Sequence, residues 1–152
     1  MDKNKTSRRD FLGLGIAAAA AAACGGCSAL ASKRNDPNDP TVQAESGLLR
    51  LSQEDSAKLL ASETSLLVKV KGKKTRILVV HRSNGSLTAT SAICTHLGCD
   101  VDYDKNSTSL LCPCHGSKFG LDGKNIKGPA SKPLKSYAVR NEDGIVVIVL
   151  KS

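Results

Sequence analysis

From residue 47 onward, short apolar runs alternate with turn residues. Leu48-Leu49-Arg50-Leu51 predicts a first strand. Ser52, with Asp55 three residues on, is placed to cap a short helix through Ala61, and Ala57, Leu59 and Leu60 are its apolar contacts. Residues 66–71 then read as a strand ending at the Gly72 turn, followed by 75–81. Asn84-Gly85 marks a hairpin leading into 87–91. Strands at 109–112 and 118–120 and an Asp122-Gly123 turn come next, and residues 136–140 and 145–150 flank Asp143-Gly144 as a last hairpin. Many short strands at regular spacing predict an all-β antiparallel sandwich or barrel. No segment alternates strand with long helix, which excludes a dinucleotide-binding fold.

The pattern differs before residue 47. Ser7-Arg8-Arg9-Asp10-Phe11-Leu12 resembles the twin-arginine export motif, and a weakly apolar Gly and Ala run follows from residue 13 to 23. Three fates are open to residues 1–31. The 21 residues from Phe11 to Ala31 are just long enough to cross a bilayer as a retained anchor. Cys24, after three alanines, is a candidate lipidated cysteine. Ala29-Leu30-Ala31 fits small-residue cleavage, giving a free protein that starts near Ser32. Anchor ranks first, lipoprotein second, free protein third. Residues 32–46 read as a flexible linker, because residues 33–40 have no apolar periodicity and Pro37 and Pro40 punctuate them. In extended form such a stretch reaches roughly 45 Å. The folded domain is expected at 47–152.

Composition narrows the function. The chain has 152 residues and a net charge of +8, with 3% aromatic residues and no Trp. A single-stranded nucleic-acid binder built on stacked bases is therefore not expected. The densest basic run, Lys69, Lys71, Lys73, Lys74 and Arg76, has the mostly alternate spacing of a solvated strand face and its turn. Its functional alternatives are an acidic redox partner or an anionic lipid surface. His81 matches no motif and reads as a strand-end histidine without metal.

The chemistry is concentrated in two short loops, Cys94-Thr95-His96-Leu97-Gly98-Cys99 and Cys112-Pro113-Cys114-His115-Gly116-Ser117. Two disulfides in an exported domain are one reading, but they leave both histidines without a purpose. A zinc site of two Cys and two His is another, and it leaves two cysteines surplus. A metal site of two Cys and two His with one disulfide uses all six residues.

The loops resemble the paired C-x-H-x-G-C and C-x-C-H-G-S motifs of the Rieske iron–sulfur family. The resemblance implies one [2Fe–2S] cluster, with Cys94 and Cys112 on one iron, His96 and His115 on the other, and a Cys99–Cys114 disulfide tying the loops. It also implies that Ser117 donates its hydroxyl to a bridging sulfide and that Leu97 is exposed as an apolar docking contact. Gly128-Pro129-Ala130 looks like the start of the family's proline loop, with Ser131 where many members have a second proline. At the position of Phe119, high-potential quinol-oxidising members have a tyrosine that hydrogen-bonds a ligand thiolate, a bond Phe119 cannot make.

This ligand set suits the implied reaction. Two ferric ions, two sulfides and two thiolates sum to zero charge, so an added electron is accommodated more easily than with four thiolates. Ligated imidazoles can also carry a proton. The resemblance implies the iron–sulfur subunit of a quinol–cytochrome c oxidoreductase in a bacterial membrane, its head on the periplasmic side. The implied partners are a cytochrome b subunit, quinol and an acceptor cytochrome c, with no nucleic acid. His115 is expected to meet the quinol, with His96 as the second exposed ligand. Phe119 favours a lower potential and hence menaquinol over ubiquinol. The alternative is a periplasmic ferredoxin-like carrier or the small subunit of an exported oxidase. No nucleophile or general base outside the loops suggests a separate catalytic centre.

Overall fold

A computed structural model describes residues 36–150. The export motif, Cys24, Cys27 and the expected anchor lie outside the described residues, as does the start of the linker. Among the described residues no helix is long and apolar enough to cross a membrane.

Among the described residues, eleven strands and one helix follow in chain order: β1 Thr41–Val42, β2 Leu48–Arg50, α1 Gln53–Leu60, β3 Thr64–Val70, β4 Arg76–His81, β5 Leu87–Ser91, β6 Asp102–Asp104, β7 Ser109–Leu111, β8 Lys118–Phe119, β9 Asn125–Lys127, β10 Ser136–Glu142 and β11 Ile145–Val149. Seven form one sheet in the order β1-β3-β4-β5-β10-β11-β2, and β6 to β9 form a smaller antiparallel meander. The all-β expectation holds. β4 is buried on both faces, and its period-2 alternation sends Leu78 and Val80 into one core and Ile77 and Val79 into the other. The first core also takes Val101, Leu110, Phe119, Cys94 and Cys112, so it supports the two loops. The second takes Leu49, Leu59, Val146 and Ile148. A leucine truncated to alanine in either core costs about 2–5 kcal/mol.

The helix forms as its cap predicts. Ser52 Oγ accepts from Asp55 N at 3.0 Å, and the Asp55 carboxylate accepts from the Ser52 hydroxyl at 2.7 Å. Ser56, fully buried, accepts from Val146 N at 3.0 Å and so ties α1 to β11. The last hairpin turns at Asp143 and Gly144, both with positive φ, 50° and 85°. That pair suits a two-residue turn matched to strand twist. At Asn84-Gly85 the connection is longer than a two-residue turn, with Arg82 N donating to Ser86 O at 3.0 Å.

Three strands were not expected. β1 lies in the predicted linker and pairs in parallel with β3 through Lys69 N to Pro40 O and Lys71 N to Val42 O, both 2.9 Å. Backbone pairing holds it together with Val42, which packs against the second core, and one apolar residue in a two-residue strand leaves no periodicity to read. β6 (Asp102–Asp104), whose Tyr103 packs against the first core, and β9 (Asn125–Lys127) are mostly polar strands that periodicity likewise does not reveal.

Candidate metal centre

The two loops are built alike. In the first, Cys94 N donates to Cys99 O at 2.8 Å and Gly98 N to Cys94 O at 2.9 Å. In the second, Cys112 N donates to Ser117 O at 2.8 Å and Gly116 N to Cys112 O at 3.0 Å. Each is a six-residue turn closed across a strand pair, Ile93 opposite Asp100 and Leu111 opposite Lys118. The fifth residue of each has positive φ, 78° at Gly98 and 73° at Gly116. Glycine is needed there, because a side chain is strained in the left-handed region.

This construction puts a buried cysteine at the root of each loop and a histidine nearer the tip. Cys94 and Cys112 are free thiols, both buried. His96 is half-buried and His115 exposed. The imidazole rings meet edge to face, centroids 4.8 Å apart and planes at 86°. Cys99 and Cys114 are joined by a disulfide with Cα atoms 6.6 Å apart, which ties the end of the first loop to the middle of the second. The expected bridge is therefore present, and Sγ of Cys112 lies within 4.8 Å of both its sulfurs.

A third segment closes the site. The Gly128-Pro129 bond is cis. Fully buried Ser117 accepts from Ala130 N at 3.0 Å, which leaves its hydroxyl proton free to be donated. Two side chains that sequence reasoning missed hold the same segment. Asn125 Nδ2 donates to Ala130 O at 2.6 Å, and Thr95 Oγ1 donates to Lys132 O at 2.7 Å.

The donor set fits a positively charged metal group. His96 Nδ1 is buried and has no hydrogen-bond partner, an unsatisfied position that a metal bond fills. Burial pushes the Cys112 thiol up, and neighbouring Cys94 adds to the rise against opposing hydrogen bonds from the backbone of Cys114 and His115. Two adjacent buried cysteines would need a cation to be held as thiolates, and two neutral imidazoles would complete four ligands without further negative charge. His81 stands apart at the end of β4, its Nδ1 3.2 Å from Ser62 O. Leu97, in the first loop, is 69% exposed, as expected of a docking contact. Phe119 is fully buried in the core that also holds Cys94 and Cys112.

Comparison with known proteins agrees. The family model for the Rieske [2Fe-2S] domain matches residues 53–138. The cytochrome b6-f complex iron-sulfur subunit of Chlorobaculum tepidum is 53% identical over 73 residues, 48% of this chain and 40% of that one. The subunit of the same name from Prochlorococcus marinus is 38% identical over 88 residues, 58% of this chain and 49% of that one. The chain thus matches less than half the length of these relatives. Among solved structures, the plasma membrane Rieske protein PetC3 from Synechocystis PCC 6803 is 34% identical with a TM-score of 0.50, over 58% of this chain and 86% of that one. The ferredoxin of carbazole 1,9a-dioxygenase from Nocardioides aromaticivorans IC177, 23% identical with a TM-score of 0.57 over 70% of this chain and all of that one, shares the fold. The chain belongs to the Rieske [2Fe–2S] domain family, and its cofactor is one Rieske-type cluster.

Proposed function

We propose that this chain is the electron-transfer subunit of a quinol-oxidising cytochrome complex, with Cys94 and Cys112 on one iron and His96 and His115 on the other. The observation that carries the reading is the polarity of the donor set: both thiols are buried, and the imidazole side reaches the surface at His115. Likeness to the iron–sulfur subunits of cytochrome b6-f complexes supports it. When bound, the cluster supplies a one-electron acceptor. The outward ring nitrogen of His115 accepts a hydrogen bond from a quinol hydroxyl and takes its proton. His96 Nδ1 faces inward, which leaves the other ring nitrogen toward the half-exposed edge. Leu97 adds the apolar contact that excludes water beside the quinol. A cytochrome b subunit holds the quinol, menaquinol by preference, and a cytochrome c accepts the electron. Residues 1–31 keep the chain at the bacterial membrane, with the head on the periplasmic side.

The test is purification of the tagged full chain from native membranes. A haem b polypeptide should come with it, and menaquinol should reduce its cluster. A chain recovered alone from the soluble fraction, with a cluster that no quinol reduces, would instead support the carrier alternative.

A further inference from the structure

A groove of about 550 Å³ lies between the β3–β4 turn and the first ligand loop, with Lys73, Lys74, Arg76, Ile93 and Leu97 among its walls. Its cations fall into two groups. Lys69 is held by Asp39 at 3.5 Å and by the Asp36 carbonyl at 3.1 Å, and Arg76 is held by buried Asp100 at 2.8 Å. Lys73 and Lys74 are exposed, and their ammonium groups have no partner among the described residues. Arg76 Nε is likewise buried without an acceptor there. The groove therefore offers two free charges beside a loop tip whose apolar residue, Leu97, is 69% exposed. The next residue back, His96, is a candidate ligand, so an electron has a short way out at this face.

We infer that this groove and Leu97 together form the docking surface for an acidic redox protein, whose electron-exchange spot is apolar and ringed by Asp or Glu carboxylates. The inference rests on the electron-transfer reading above. An apolar centre with a charged rim is the anatomy of a transient protein interface, and complementary charge there raises the encounter rate. Carboxylates of the partner pair with Lys73 and Lys74. An anionic lipid surface offers the same charge, but it cannot take an electron. Leu97 also stands alone on the loop, without the apolar stripe that an interfacial membrane segment needs.

The full-chain holoprotein, reduced, is mixed in stopped flow with an acidic and, separately, a basic soluble c-type cytochrome. In each reaction one electron passes from the protein to the ferric haem, which becomes ferrous. At low salt the acidic cytochrome should react faster, and its rate should fall as salt screens the attraction. The double variant Lys73→Glu and Lys74→Glu should lose that rate by about tenfold and flatten its salt dependence. The double variant Lys58→Glu and Arg140→Glu, with the same net charge but altered away from the groove, should keep most of it. Equal losses in the two double variants would overturn the docking surface and leave only an effect of net charge. A groove variant that keeps its cytochrome rate but loses binding to phosphatidylglycerol vesicles would assign the groove to lipid and overturn the proposal. If a cluster with a normal spectrum reduces neither cytochrome, the electron-donor reading itself fails, and the docking surface with it.

Discussion

Ser117 and Phe119 lie two residues apart, one with a hydroxyl proton to donate and the other with none. Ser117 accepts from Ala130 N, which orients its hydroxyl and leaves the proton to donate. A donor to sulfur favours the reduced cluster, because reduction adds negative charge. Phe119, fully buried in the core that holds Cys94 and Cys112, has nothing to donate. A hydrogen bond to a charged group is worth about 1.5–3 kcal/mol, and only its difference between oxidation states counts. If about 1–1.5 kcal/mol remains as that difference, the missing bond lowers a one-electron potential by about 45–65 mV. Voltammetry should find the wild-type potential below the top of the range of roughly −150 to +300 mV, and Phe119→Tyr should raise it. A tyrosine variant with an unchanged potential would show that residue 119 does not set it. The placement of both side chains beside the loops was readable because each is one residue type at one motif position. Thr95 and Asn125 were not, since their partners are backbone carbonyls of Lys132 and Ala130 that no motif marks.

The site is made of two equivalent turns and a third segment latched over them, and each tie has a measurable consequence. Replacing Cys99 and Cys114 together by Ser frees the first loop from the second, and denaturant unfolding should register a loss of about 2–4 kcal/mol. Thiol labelling of the folded wild type should find neither cysteine reactive. Asn125→Ala leaves the carbonyl of buried Ala130 without its donor, and the same unfolding measurement should show a loss of about 1–3 kcal/mol. No loss there would mean that Ala130 N and Ser117 suffice to hold the third segment. The strands around these turns were legible where apolar alternation marks them, as in β4, whose two faces feed two cores. β1, β6 and β9 are two or three residues long with few apolar side chains, so periodicity passes over them, whether they pair with a strand adjacent in sequence, as β6 and β9 do, or at long range, as β1 does.

Across the whole molecule, the seven-stranded sheet carries two cores, one of which is the bed of the ligand loops. The chain enters this body along β1, beside β3 and near the basic groove. With residues 1–31 retained as proposed, intact mass measurement on membrane-derived protein should include them. A chain beginning at Ser32, or a diacylated Cys24 at its start, would contradict the anchor. The central claim is the mixed ligand set, two thiolates and two imidazoles. It is tested most directly by pulsed electron paramagnetic resonance on the reduced full chain grown with ¹⁵N-labelled histidine. The account predicts a cluster signal coupled to two histidine nitrogens, with the signal lost in both His96→Ala and His115→Ala. A signal with no ¹⁵N coupling, or one that survives either substitution unchanged, would contradict it.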